Sequence, residues 1–344
     1  MAMFGVVRIA APNMWAAQSH RFRGPVQMIR MAGGLTVLFF CLIFFAQDFY
    51  TVALVMVSYG FFWAAMLPQY EVLCMQSLSH QLDRYSKVRL WGSLGFIVSV
   101  MLVGGLLDLT GIWILPLVML LLMLMITGNA WGMRESHWQT SDATSDQSFW
   151  AIVRRPAIVG FILVNVLLQV SFGPYYTFFS IFLEEQGFSP TQTGLIWSAG
   201  VIAEVLLFWQ FGKVMHLLSW RYWIVLSLVL TGIRWSLTGI ATQSLFWLLL
   251  LQTLHAFSFA VMHAVSMKYV QVLFPAAMHG RGQALYSSVG FGLGGAVGAW
   301  LSGLLWLPLG GTLVFTLAGA VALIAAPVAY LTLNRRQISG PVGH

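Results

Sequence analysis

Charge is what this sequence lacks. Only 8% of its residues are Asp, Glu, Lys or Arg, and 59% are hydrophobic; an ordinary soluble domain carries about 25% charged residues. A chain so composed cannot surround a soluble core with polar surface, which leaves an all-α polytopic membrane protein as the fold class. Cysteine is nearly absent. Cys41 and Cys74 both lie in apolar runs, so they read as small core residues and offer neither a disulfide nor a metal framework. The opening MAMFGVVRIAAPNMW lacks a basic leading segment and places Arg8 inside its apolar run, so it is not expected to act as a signal peptide. No hydrophilic segment reads as a catalytic loop. No metal, cofactor or nucleic-acid partner is therefore expected, and an intramembrane transferase built on His255 or Glu204 is a weak reading.

What is present is a series of long apolar runs. A bilayer core of about 30 Å needs about 20 helical residues, and runs of that length fall near 31–47, 52–78, 90–108, 112–132, 157–182, 192–211, 222–241, 245–271, 282–306 and 311–333, with a shorter run at 2–17. Continuous runs suit helices rather than barrel strands, which alternate. The net charge of +7 decides orientation rather than partners. One set of loops and adjacent helix ends holds Arg21, Arg23, Arg30, Arg84, Lys87, Arg89, Arg134, Arg154, Arg155, Lys213, Arg221, Lys268, Arg281, Arg335 and Arg336; the alternate connections hold none and carry Asp48, Asp108, Glu184 and Glu185. By the positive-inside rule the loop at 18–30 and the C-terminus face the cytoplasm.

The most hydrophilic stretch divides the runs. Residues 133–156, with TSDATSDQS, read as a cytoplasmic linker between an incomplete N-terminal bundle (1–132) and a six-helix C-terminal bundle (157–334), followed by a tail at 335–344. A shift of 195 residues lays Ser93-Leu94-Gly95-Phe96 on Ser288-Val289-Gly290-Phe291 and the spans at 31–132 on the last four. By that shift the first half lacks one span and part of the next, so the ancestral plan is six plus six. Two parallel six-helix repeats with a site at the bilayer midplane describe the major facilitator architecture. Gly290, Gly294 and Gly298 recur at a spacing that lets helix backbones approach closely.

Ionisable groups inside such runs are costly and therefore informative. With a rise of about 1.5 Å per residue, Glu204, Arg234, His255, Gln169 and Arg8 all fall about 13–18 Å from one end of their spans. Five groups from five runs thus share one midplane layer. Glu204 and Arg234 form either a structural ion pair or a pair whose breaking is coupled to transport. His255 is either a hydrogen-bonded core residue or a proton relay. Arg8 is a counter-ion for an anionic substrate or a partner for a carboxylate. Asn165 and Gln169 are substrate contacts or interhelical hydrogen-bond glue, and His263 is a supporting or substrate-binding group nearer the cytoplasm. Glu71, three residues after Pro68, is a ligand contact or a helix-end residue, and Pro68 is expected to kink its helix. Asp83, Arg84 and Arg89 are candidates for an inner gate. Most of the aromatic residues serve as lipid-facing anchors, while Trp197, Tyr175 and Tyr176 are candidates to line an apolar cavity.

The run Tyr85-Ser86-Lys87-Val88-Arg89-Leu90-Trp91-Gly92-Ser93 resembles that of bacterial 3-phenylpropionate transporters, major facilitator proteins related to lactose permease; Gly200-Val201-Ile202-Ala203-Glu204-Val205, Gly232-Ile233-Arg234-Trp235, Leu254-His255, His263 and Gln283-Ala284-Leu285-Tyr286-Ser287 extend the likeness. The resemblance implies a proton-coupled symporter of a small organic solute, an aromatic acid or a sugar, in the inner membrane, acting as a monomer. It assigns proton and substrate roles to Glu204, Arg234 and His255. It also implies that the family's first helix and part of its second are missing, so a non-transporting remnant or sensor stands as a rival. Where the family has Pro-Leu-x-Asp, this chain has Pro68-Gln69-Tyr70-Glu71.

Overall fold

The computed structural model describes residues 21–77, 82–134, 148–242, 244–275 and 278–333, with the isolated positions Val7, Ala11, Met14, Trp15 and Gln18. Within these the regular elements are helices: α1 (Pro25–Cys41), α2 (Phe49–Ser77), α3 (Leu82–Thr110), α4 (Leu115–Gly132), α5 (Phe149–Val153), α6 (Pro156–Ser171), α7 (Gly173–Glu185), α8 (Pro190–Val214), α9 (Trp220–Thr238), α10 (Leu245–Thr253), α11 (Met262–Leu273), α12 (His279–Leu285) and α13 (Gly295–Thr332). Two π-helical stretches, Ala256–Val261 and Tyr286–Gly294, join α10 to α11 and α12 to α13.

Local chemistry explains where the helices start and stop. Pro25, Pro116, Pro156, Pro174 and Pro190 sit in the first turns of α1, α4, α6, α7 and α8. There the missing N–H costs nothing and the fixed φ is already helical. Asp48 starts α2: its Oδ1 accepts the amides of Tyr50 and Thr51 at 2.8 and 2.9 Å, and Thr51 Oγ1 accepts the Asp48 amide at 3.3 Å. This reciprocal cap satisfies donors that the helix leaves free. The Thr51 amide holds the exposed Asp48 carboxyl below the usual carboxylate range.

Among the described residues eight helices are long and apolar enough to cross a membrane, and one of them, Arg281–Thr332, has 52 residues, enough for two crossings. It changes direction at Gly310, whose φ of 74° lies in the left-handed region. α9, with Arg221 and Arg234, stands outside those eight. The ten expected spans therefore all fall on helices. Leu307, Leu109 and Trp209 are 92%, 86% and 80% exposed, an apolar exterior that suits hydrocarbon rather than water.

Two expectations of continuity resolve differently. The run at 157–182 divides at Phe172 into α6 and α7, because Pro174 cannot donate to the preceding turn. The run at 245–271 loosens at Leu254 and passes through the first π stretch. By contrast α2 continues through Pro68 to Ser77.

Contacts group the chain into two units, residues 1–95 with 105–142, and 96–104 with 143–344. In the first, α1 packs along α2 and α4, and its Thr36 and Phe40 are buried. In the second, α13 is the common wall for α6, α7 and α9. Gly298 explains how close that wall comes, since a Cβ there would stand 2.5 Å from the Val170 carbonyl oxygen. Gly294 likewise seats on α6, where a Cβ would lie 2.9 Å from the Gln169 Cβ.

Candidate functional site

The breaks in the helices bring five side chains of the second unit into one buried chain. The restart at Gly173 places Tyr175 in the first turn of α7, and the Leu254 turn places His255 directly before the first π stretch. π-Helical turns shift the side chains that follow them and are frequent at functional positions. α8 and α9 supply Glu204 and Arg234. Gly200, one turn before Glu204 on α8, allows the approach: a Cβ there would lie 3.3 Å from His255 Cβ and 3.4 Å from Gln252 Oε1.

Arg234 is the centre. It has no exposed surface, and its Nη2 donates to Gln252 Oε1 at 2.6 Å while its Nη1 meets His255 Nδ1 at 3.1 Å. Its guanidinium lies over the rings of Trp235 and Tyr175, at 4.2 and 4.6 Å from their centroids. Tyr175 donates its hydroxyl to the same Gln252 oxygen at 3.3 Å. Trp197, 4.3 Å from Tyr175 between ring centroids, and Phe172, 5.1 Å from Trp235, close the aromatic wall. A desolvated guanidinium among ring faces gains cation–π attraction in place of water.

The tautomer of His255 follows from its partner. A guanidinium can only donate, so Nδ1 must accept and the ring proton of the neutral imidazole sits on Nε2. That nitrogen faces Glu204 Oε2 at 3.7 Å. The distance is within ion-pair range but exceeds a direct hydrogen bond, and a side-chain shift of about 0.8 Å closes it. A second proton on the ring would point at the Arg234 N–H, so charging His255 requires it to leave Arg234. Two donors in this chain are unspent: Arg234 Nε and Gln252 Nε2 are buried without a hydrogen-bond partner. Such atoms carry a desolvation cost that an incoming acceptor removes.

The expected layer is thus partly assembled. Glu204, His255 and Arg234 meet, with the imidazole between carboxylate and guanidinium. Asn165 and Gln169 are buried on α6, but Asn165 donates to the Phe161 carbonyl at 2.8 Å and accepts from Ser266 at 3.1 Å, and Gln169 lies against Gly294. Both belong to the seam where α6 packs on the second π stretch. His263 is half-buried, with Nδ1 at 3.4 Å from the Tyr286 hydroxyl and its ring parallel to Phe259. Glu71 is exposed on α2. Arg8 lies outside the described residues, and the side chains of Asp83, Arg84 and Arg89 do too.

Gln252 was missed in the sequence. Its signal is a polar residue three positions before His255 in an apolar run, a spacing that puts both on one helix face.

Comparison with known proteins adds ancestry. The family model described as the MFS_1 like family matches residues 1–317. A protein of Escherichia coli (strain K12) named "Probable 3-phenylpropionic acid transporter" is 31% identical over 279 residues, covering 76% of this chain and 71% of the relative. The maltose permease of Geobacillus stearothermophilus is 26% identical over 305 residues, 86% of this chain and 74% of the permease. Among solved structures, a mutant of the nucleoside transporter NupG superposes with a TM-score of 0.81 at 14% identity, covering 97% of this chain and 89% of the other. The POT family transporter PepTSo gives 0.77 at 12% identity, covering 98% and 89%. At these identities the two structures establish the fold alone.

Proposed function

This chain belongs to the MFS_1 like family, a multi-pass membrane transporter rather than an enzyme, and on that premise we propose that it is a proton-coupled symporter of a small organic solute, working by alternating access in the bacterial inner membrane with its C-terminus in the cytoplasm. The observation that carries the reading is the contiguity of Glu204, His255 and Arg234, a titratable acid joined through an imidazole to a fully buried cation. Glu204 is the proton-coupling carboxylate. Its protonation removes the charge that His255 Nε2 faces, which lets the ring move and releases Arg234 from one of its two bonds. Arg234 then holds the substrate's acceptor group, with the unspent Nε and Gln252 Nε2 as additional donors.

The wall of Tyr175, Trp197, Phe172 and Trp235 around that cation favours an aromatic acid: carboxylate on Arg234, ring on rings. The name of the 31% identical relative points the same way. Asn165, Gln169 and His263 support this site through helix packing. Two bundles joined by the linker at 133–156 remain the domain plan of the proposal, with Arg8 and Glu71 as further substrate contacts, and Asp83, Arg84 and Arg89 as the inner gate.

The test is substrate-induced alkalinisation of the medium around proteoliposomes carrying the purified protein, screened over aromatic acids, sugars and nucleosides. An aromatic acid such as 3-phenylpropionate should raise the external pH. Uptake of any of these solutes without proton movement would contradict the proposal.

A further inference from the structure

Away from the Arg234 chain, the connection between α8 and α9 borders a cleft of about 720 Å³ on the Lys/Arg-rich side of the second unit, lined by residues 215–222 with Tyr269, Val272 and Leu333. Among the described lining residues its one permanent cation is Arg221. That side chain lies on the face of Tyr330, 3.9 Å from the ring centroid, and its Nε is buried without a hydrogen-bond partner. No acidic side chain is among the described residues that line the cleft. Nor does any aspartate or glutamate follow Glu204 in the sequence, so this part of the chain offers Arg221 no acidic side chain.

The backbone contributes in the same direction. α9 begins here, and Ser219 at its N-cap makes no side-chain hydrogen bond to the first turn. The first amide with a backbone acceptor is that of Trp223, which donates to the Ser219 carbonyl at 3.0 Å. The amides of Trp220, Arg221 and Tyr222 are therefore free of intrahelical partners, at the positive end of the helix dipole. Lys268, exposed at the rim with its Nζ 5.5 Å from the Trp220 ring, adds a second cation. Around this polar floor the rim is apolar and open: Leu217 is 65% exposed, and Tyr222 and Val272 are each 49% exposed.

We propose that this cleft binds an anionic phospholipid, its phosphodiester on the Arg221 guanidinium and the uncapped amides of α9, and its acyl chains along Leu217, Tyr222 and Val272. A basic pocket between transmembrane helices, open to hydrocarbon, suits an anion attached to a hydrophobic tail rather than a free one. The lack of a carboxylate for an ammonium group selects an anionic headgroup over a zwitterionic one. The site is independent of the transport chemistry, since none of its residues belongs to the Glu204, His255 and Arg234 chain.

Native mass spectrometry of the delipidated protein in detergent tests this, titrating phosphatidylglycerol, phosphatidylcholine and inorganic phosphate separately and in competition. The wild type should take one phosphatidylglycerol in preference to phosphatidylcholine. Arg221→Gln should weaken that adduct about fivefold, the effect of one basic side chain near a lipid surface, and Arg221→Lys should recover part of it. Lys268→Gln, exposed and remote from the packed interior, should weaken it about two- to threefold and keeps the proposal testable should Arg221→Gln fail to fold. Equal binding of the two lipids, or an adduct unchanged in both glutamine variants, would overturn the proposal. Displacement of the lipid by an equal concentration of inorganic phosphate would reassign the cleft to a free anion and overturn it as well.

Discussion

Replacing Arg234 by lysine keeps the charge and removes the geometry. Arg234 holds two partners at once, His255 Nδ1 at 3.1 Å and Gln252 Oε1 at 2.6 Å, through a planar fork that a single ammonium cannot reproduce. One of these charge-assisted bonds must be lost. Each is worth about 1.5–3 kcal/mol, because the abandoned acceptor stays buried. His255 and Gln252 are only 6% and 0% exposed, so water does not replace the missing donor. For a cooperative unit of about 200 residues that loss lowers the melting temperature by roughly 5–10 °C. Unfolding of the Arg234→Lys protein, followed by tryptophan fluorescence in detergent, should show this drop, and uptake into proteoliposomes should fall at least about tenfold. A variant that melts and transports like the wild type would refute the reasoning, since charge alone would then suffice.

Two further perturbations test the surroundings. Gly200→Ala puts a methyl 3.3 Å from His255 Cβ; such overpacking costs about 1–3 kcal/mol, so uptake should drop while the protein still inserts and binds detergent as a monodisperse species. Asp48→Ala should destabilise α2 at neutral pH, and Asp48→Asn, which keeps the acceptor but loses the charge, should destabilise it less. The cap's contribution has a defined pH sign: the folded carboxyl titrates below its unfolded value of about 3.9, so its contribution is complete above that value and disappears as the pH falls through the folded one. The difference in melting between wild type and Asp48→Ala should therefore shrink in acid; a constant difference down to pH 2 would contradict a charge-assisted cap.

Long apolar runs made the helical membrane fold legible, because a bilayer demands unbroken hydrocarbon over a known length. The charges inside those runs made Glu204, Arg234 and His255 legible for the converse reason. Their order was not. A direct Glu204 to Arg234 pair was the simpler reading, whereas His255 stands between them, because helix rotation about its axis is invisible to depth counted along it. Gln252 escaped notice, and Tyr175 was legible only as a candidate cavity wall, on the same ground: an amide and a phenol in an apolar run have many bland explanations, and only the turns at Leu254 and Phe172 aim them at Arg234. Asn165 and Gln169 share the depth of the site but spend their surface on helix packing, which depth alone cannot distinguish from ligand contact.

The central claim is that Glu204 carries the coupled proton, and Glu204→Gln tests it most directly. The amide keeps the size and hydrogen-bonding capacity of the side chain but cannot gain or lose the proton. In proteoliposomes this variant should fail to accumulate substrate against its gradient under an imposed pH difference, while exchange of internal for external substrate continues. Uphill accumulation by Glu204→Gln at the wild-type level would contradict the account.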